Sequence, residues 1–437
     1  MSESSTTPSR DRTSVELFAG GGGLAMAVHN SGFRPLLINE FAKHACATFL
    51  ANKKAVPRGE DEYIPREQDL WPLVEGDVQE LKMGYLQGQV DILAGGPPCQ
   101  PFSLGGVAKG DEDKRNMFPE MFRAVREIQP KAVICENVRG LLRPSFRPYF
   151  DYILRELELP FKERDSDSTW LEHDAALLAT DKDAVPGHER YDVRMFQVNA
   201  ADYGVPQIRN RVIIIAFRSD LGVDVDAFKD SVKPTHSETA LTRSILSGEY
   251  WDRHPTVPRH VRDRVLERLP ATAPADDGLL PWRTLRDAIT GIDGNPPLPA
   301  IPWNRLDRVE YYNEEKWPFK DHVGWPDARI YPGHTPNEYD RPAKTVKAGV
   351  HGVPGGESVL LTDDRERDGS APGGWRYKHR YMTVRETARV MTFPDDWVLS
   401  GPRSEKMRQL GNAVPVLLGE AFARAVASSL EKVEKRP

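Results

Sequence analysis

Over the first half of the chain, short apolar runs alternate with segments of helical periodicity. Residues 14–18 (SVELF), 35–39 (PLLIN), 90–94 (VDILA) and 131–135 (KAVIC) read as buried parallel strands. Between them, 24–28, 41–50 and 117–128 carry helical spacing. In the last of these Met117, Phe118, Met121, Phe122, Val125 and Ile128 share one face. Strands alternating with helices predict an α/β fold around a parallel sheet. Residues 193–198 and 211–217 read as two further strands able to pair antiparallel. From 219 to 340 both periodicities fade, and Pro, Trp, Arg and His become frequent, which predicts a second, irregular domain. Order returns at Arg341, with a short helix over 385–391 and a long amphipathic one over 414–433. Residues 53–72 and the acidic stretch 160–190 read as surface insertions. The expected organisation is a disordered tail (1–12), a catalytic and cofactor-binding domain (13–218), a target-recognition domain (219–340) and a return segment (341–437). The terminal helix of that segment completes the catalytic domain.

Composition narrows the class. With 437 residues, 39% hydrophobic and 28% charged, the chain has room for two or three domains of soluble type. No apolar run approaches the roughly 18 residues of a membrane span, and the polar start MSESSTTPSRDR lacks a signal-peptide core. Cys46, Cys99 and Cys135 are odd in number and lack CxxC spacing, so a reducing cytoplasm and no metal are expected. A net charge of −6 argues against a protein that coats nucleic acid but leaves room for a local basic cleft.

Candidate chemistry gathers at the ends of the predicted strands. Gly20-Gly21-Gly22-Gly23 follows the first strand, and Glu40 closes the second, 20 residues after the first glycine. Strand, glycine turn, helix, strand and acid form a nucleotide-binding βαβ arrangement in which the acid accepts from ribose hydroxyls. Asp77 is placed to accept from an adenine amino group, and Phe18 and Phe41 offer either ring faces or core packing. After the third strand, GGPPCQPFS sets Cys99 in a loop stiffened by three prolines, where an open sheet binds ligands. That rigidity makes Cys99 the candidate nucleophile rather than a core thiol, whereas Cys46 and Cys135 fall in apolar patterns and belong to the core. Glu136 ends the next strand, and burial beside a thiolate would raise its pKa and keep it a proton donor. Arg209 and Arg211 alternate on an extended segment, so one can clamp a ligand while the other pairs structurally. The polar stretch 104–116 has the character of a lid.

Taken together and in order, FAGGGG, Asn39-Glu40, GGPPCQPFS, ENVRG, QIRNR, RPAKTV and GNAVPV resemble the motifs of DNA (cytosine-5)-methyltransferases. The resemblance covers residues 14–218 and 341–431. It implies an S-adenosylmethionine-dependent Rossmann-like α/β fold with a smaller irregular target-recognition domain, with S-adenosylmethionine as cofactor and double-stranded DNA as partner. It carries the nucleophile to Cys99, the proton donor to Glu136 and a base contact to Arg211, with Arg209 in support. Phe18, Gly20, Gly22, Gly23, Glu40, Phe41, Asp77 and Pro98 match cofactor-lining positions, and Asn412 would reach the cofactor's methionine end. The insertions at 53–72 and 160–190 have no counterpart in the family. A monomer is expected, acting alone or beside a separate restriction endonuclease. An RNA-directed enzyme on the same scaffold is the nearest rival, and the sizeable recognition domain favours DNA. A catalytically silent DNA-binding regulator is disfavoured by intact Cys99, Glu136 and Arg211. A nicotinamide-dependent oxidoreductase would account for the glycine turn but not for PPCQPF, ENV or QIRNR.

Overall fold

The computed structural model describes residues 12–59, 62–66, 68–98, 116–291, 295–303, 306, 319–330, 335–348 and 358–436. The first part of the chain forms β1 (Arg12–Leu17), α1 (Gly23–Asn30), β2 (Phe33–Glu40), α2 (Lys43–Ala51), β3 (Ala55–Pro57), β4 (Trp71–Glu75) and β5 (Ile92–Gly95). There follow α3 (Phe118–Ile128), β6 (Ala132–Val138), α4 (Arg147–Glu158), α5 (Trp170–Leu178), β7 (Tyr191–Asn199), β8 (Asn210–Arg218) and α6 (Val225–Ser231). These strands build one sheet in the order β3-β4-β2-β1-β5-β6-β8-β7. Neighbours from β3 through β6 run parallel, and β8 lies antiparallel to β6. The order reverses direction between β1 and β5, and at such a switch point neighbouring loops part and leave a crevice.

The apolar runs are the sheet's interior. Val15, Leu17, Leu93 and Val133 pack with Phe118, Phe122, Val125 and Ile128 of α3, all almost wholly buried. At roughly 25 cal/mol per Å² of apolar surface, each such side chain contributes on the order of 2 kcal/mol. Two expectations need correcting. Residues 53–72 are not simply a surface insertion, because β3 and β4 extend the sheet there and Trp71 is buried with its ring centroid 4.9 Å from that of His29. Strands this short show no readable period. Residues 160–190 are likewise more than an acidic loop. Thr169 and Glu172 form a capping box that starts α5, Leu177 is buried, and Arg155 holds Asp174 through two hydrogen bonds of 2.6 and 2.8 Å. Acids mask this helix in the sequence, yet Asp174 is held against α4 rather than open to water.

The second part of the chain forms β9 (His236–Ser237), α7 (Glu238–Ser247), α8 (Glu249–Arg253), α9 (Arg259–Leu266), β10 (Leu280–Pro281) and α10 (Leu285–Thr290). Then come β11 (Asn337–Glu338), β12 (Val359–Arg367), β13 (Trp375–Tyr381), α11 (Val384–Val390), α12 (Arg403–Asn412) and α13 (Val416–Glu434). This part has more regular structure than its composition suggests. Leu241, Ile245, Tyr250, Trp251, Val261 and Trp282 form its own core.

Contacts group residues up to Val198, Asn210–Lys233 and Gly419 onward into one compact unit, and Asn199–Arg209 with Pro234–Leu418 into another. The expected boundaries at 219 and 341 therefore move. The segment at 341 stays in the second unit because Ile208 N–H donates to Ala343 O at 2.8 Å and Ala343 N–H donates to Pro206 O at 2.9 Å. The first unit regains the chain only at Gly419, within α13, where Phe422, Val426 and Leu430 form a buried stripe. Among the described residues, only the stretch Arg403–Glu434 is long and apolar enough to cross a membrane, and 72% of that window is buried inside the protein.

Candidate active site

Five features line up along one edge of the first unit's sheet. In sheet order they are Glu40 at the end of β2, the turn after β1, the turn after β5, Glu136 in β6 and Arg211 in β8. The first four sit at carboxyl ends of parallel strands. Because β8 is antiparallel to β6, its amino end reaches the same edge, and Arg211 pairs opposite Val138. A strand reversal thus brings an arginine to an edge otherwise made of acids and glycines.

The turn after β1 is tightly held. Phe18 has φ +58°, a conformation non-glycine residues rarely adopt. Gly22 has φ +93° and starts α1 without a side-chain cap. The Glu40 carboxylate braces this turn, accepting Gly20 N–H through Oε2 and Ala42 N–H through Oε1, both at 2.6 Å. Each oxygen keeps a second lone pair for a vicinal diol. Next to it the Phe41 ring is 73% exposed, an unusual position for a large aromatic and one suited to stacking on a base. Phe18 is half-buried and packs on the core. Asp77 is exposed and uses Oδ1 to accept Gln79 N–H at 3.0 Å, leaving Oδ2 outward. Asn39, quoted in the sequence only as Glu40's neighbour, ties this region together by donating to Val74 O and Gly76 O at 3.2 and 3.1 Å.

One residue that sequence reasoning passed over is Glu16, inside β1. It is 3% exposed, and its carboxyl accepts from Ala25 N–H in the first turn of α1. Burial pushes its pKa well above the usual glutamate range. A charge-bearing residue in the middle of an apolar strand was the available signal.

The second half of the edge is acidic and cationic at once. Glu136 and Arg211 are both about nine-tenths buried, with Arg211 Nε 2.6 Å from Glu136 Oε1. The charges touch without hydrogen-bond alignment, so among the described residues Oε1 is a buried acceptor lacking a donor. Leaving such an atom unsatisfied costs about 1–3 kcal/mol, which a ligand's N–H would recover. The turn after β5 lies against this pair. A Cβ on Gly96 would sit 3.7 Å from Glu136 Oε2, and Asn137 Nδ2 donates to Pro97 O at 3.2 Å. At Gly95 a Cβ would approach Met121 Sδ to 2.9 Å and Leu17 O to 3.1 Å, so a larger residue would require both neighbours to shift. Pro98 follows, exposed. Cys99 lies outside the described residues, as does 104–115 of the expected lid. Asn116, its last residue, is buried and donates to Tyr149 Oη.

Other predicted site residues are placed elsewhere. Arg209 is 1% exposed in the second unit and donates to Val346 O, Gly411 O and Ala413 O at 2.9, 2.8 and 2.9 Å. The expected supporting contact to a base gives way to a structural role, because the guanidinium is spent on carbonyls. Asn412 is exposed at the end of α12 in the second unit. Cys46 and Cys135 are buried as expected, and burial together with Glu40 and Glu75 pushes the Cys46 thiol up to about 12. No group of metal-ligating side chains occurs among the described residues.

A glycine turn braced by an acid at the sheet's switch point, with a buried carboxyl on a neighbouring strand, is the arrangement of a nucleotide-binding α/β fold. The chain belongs to the C-5 cytosine-specific DNA methylase family, whose model matches residues 12–159 and 187–428. It is accordingly a DNA cytosine-5 methyltransferase. The match runs through 53–72, contrary to expectation, and passes over 160–186. The chain is 30% identical over 432 residues to the Type II methyltransferase M.Eco47II of Escherichia coli, covering 97% of this chain and 81% of the relative. It is 29% identical over 437 residues to M.PspPI of a Psychrobacter species, with 99% and 83% covered. In fold it is similar to a prophage-encoded E. coli protein described as a DNA modification methyltransferase (TM-score 0.52, 18% identity, 96% and 99% covered).

Proposed function

We propose that the enzyme methylates C5 of a cytosine flipped out of double-stranded DNA within a specific sequence, through a covalent bond between Cys99 Sγ and C6. The observation that carries this reading is the Glu136–Arg211 pair set against the Gly96–Pro97 turn that leads into Cys99. Phe18, Glu40, Phe41 and Asp77 suit an adenosyl ligand, so S-adenosylmethionine is the proposed cofactor. When bound, it supplies an electrophilic methyl group on a sulfonium sulfur.

The protein's part is to make an unreactive carbon nucleophilic. Addition of the Cys99 thiolate to C6 forms the S–C6 bond and moves the ring electrons toward C5, giving an enamine. Glu136, which rests as a carboxylate beside Arg211, first takes a proton from solvent and passes it to N3, and so neutralises the charge that would otherwise build on the ring. Arg211 holds the Glu136 carboxyl in place and can reach the base's carbonyl oxygen. After C5 has gained its methyl group, water takes the C5 proton, the S–C6 bond breaks and N3 returns its proton to Glu136, which restores the neutral aromatic ring and the thiolate. C6 is inaccessible within a stack, so the base is extruded first, at a cost of a few kcal/mol. The Type II names of the relatives favour a modification role beside a separate restriction endonuclease.

Bisulfite sequencing of DNA from expressing cells tests the reading, giving position and sequence context together. Cys99→Ala should abolish methylation while calorimetry still detects S-adenosylmethionine binding. Methylation that persists in that variant overturns the proposal.

A further inference from the structure

The hairpin of β12 and β13 lies in the second unit, beyond the 219–340 segment that the resemblance assigns to target recognition. Its cross-strand pairs are Arg365↔Tyr377, Glu366↔Arg376 and Arg367↔Trp375. Alternation along a strand puts Arg365, Arg367, Trp375 and Tyr377 on one face. The guanidinium carbons of Arg365 and Arg367 stand 4.3 and 4.2 Å from the centroid of the Trp375 ring. Arg264 of α9 lies 4.1 Å from the Tyr377 ring centroid. Tyr377 Oη donates to His260 O at 3.2 Å, which ties α9 to the hairpin.

The acids around this face are engaged elsewhere. Asp363 is bound by Arg286 at 2.7 and 2.9 Å, and Asp364 accepts from Trp303 Nε1 at 2.6 Å. Glu366 and Asp368 pair with Arg376 at 2.7 and 3.6 Å. Arg365 and Arg367 are exposed and, among the described residues, have no ion-pair partner. Two cationic residues thus stand about 6.7 Å apart along the strand backbone, without counter-charge among the described residues, on a chain of net charge −6. Stacking on one indole fixes their planes in advance, which lowers the rotamer entropy lost when a planar fork meets an anion.

We propose that this face grips the phosphate backbone of duplex DNA, with Arg365 and Arg367 each engaging a phosphate. The inference rests on the reading that duplex DNA is the substrate. Contacts of this kind position the duplex without reading bases, so they should act on all sequences alike.

The test measures binding of the full-length protein to a fluorescent 30-base-pair duplex by anisotropy, as a function of salt. Each phosphate contact contributes about 0.9 to the slope of log K against log salt. Replacing both arginines, Arg365→Gln with Arg367→Gln, should lower that slope by about 1.8. Near 0.1 M salt the dissociation constant should then rise by tens-fold. The paired change Arg365→Lys with Arg367→Lys should retain the slope, because charge rather than stacking carries it. An unchanged slope in the glutamine pair overturns the inference, and so does a loss in the lysine pair equal to that in the glutamine pair. If the wild-type protein shows no salt-dependent duplex binding, the reading of the substrate has failed instead.

Discussion

The Glu136–Arg211 pair offers the sharpest quantitative test of the site. Both side chains are about nine-tenths buried, and their charges meet at 2.6 Å with no carboxylate other than Glu136 paired to Arg211 among the described residues. Removing the cation by Arg211→Met leaves the Glu136 carboxylate buried without compensation. Broken buried pairs cost roughly 3–5 kcal/mol. Here the poor alignment of the contact and its place at a sheet edge argue for the lower end, about 3 kcal/mol. Glu136→Gln alone keeps the volume and leaves Arg211 with an amide oxygen, so about 1–2 kcal/mol is expected. In the double variant neither charge is stranded, and its stability should lie within about 1 kcal/mol of Glu136→Gln alone. The four proteins form a double-mutant cycle, read by urea unfolding, with an expected coupling of about 3 kcal/mol, the cost of Arg211→Met that the double variant escapes. Additive losses, or a cost below about 0.5 kcal/mol for Arg211→Met, would refute the argument that Arg211 is there to balance Glu136. Methyl transfer should fall in both single variants and should not recover in the double, which separates electrostatic rescue of the fold from rescue of the chemistry.

Two further outcomes follow from single residues. Phe41→Ala should weaken S-adenosylmethionine binding about three- to tenfold, the value of one ring contact, while unfolding stays unchanged because the ring is 73% exposed; calorimetry beside urea melts would separate the two. Glu16 has a folded-state pKa raised by burial. Its protonated form therefore favours the fold below the ordinary glutamate value, and that contribution is lost as pH rises through the raised one. As pH rises above the ordinary glutamate range the wild-type urea midpoint should fall relative to that of Glu16→Gln, which keeps the acceptor for Ala25 N–H without the charge. Parallel curves would mean that Glu16 is not protonated in the fold.

The local code of the first unit was legible because it is physically local. Val15, Leu17, Leu93 and Val133 lie in runs too apolar to face water, and glycines at 20, 22 and 95 sit where the backbone turns or where a Cβ collides with Met121 and Leu17. The acid closing β2 and the carboxyl near the end of β6 follow from strand ends in the same way. Pairing was not legible. That 55–57 and 71–75 join the sheet depends on edges meeting across a gap, and no period shows in three residues. The helix Trp170–Leu178 hid in an acidic stretch, although its capping box was written in Thr169 and Glu172.

Sequence alone determined which residue types stand at the strand ends, and so the class of chemistry this protein performs. Tertiary structure decided which of two alternating arginines does what. Reversal of β8 against β6 delivers Arg211 to Glu136, whereas Arg209 belongs to the other unit and is consumed by three carbonyls. An extended segment dictates only that such neighbours point apart. Which face meets a buried carboxylate and which meets unsatisfied carbonyls is settled by what the rest of the chain packs against each.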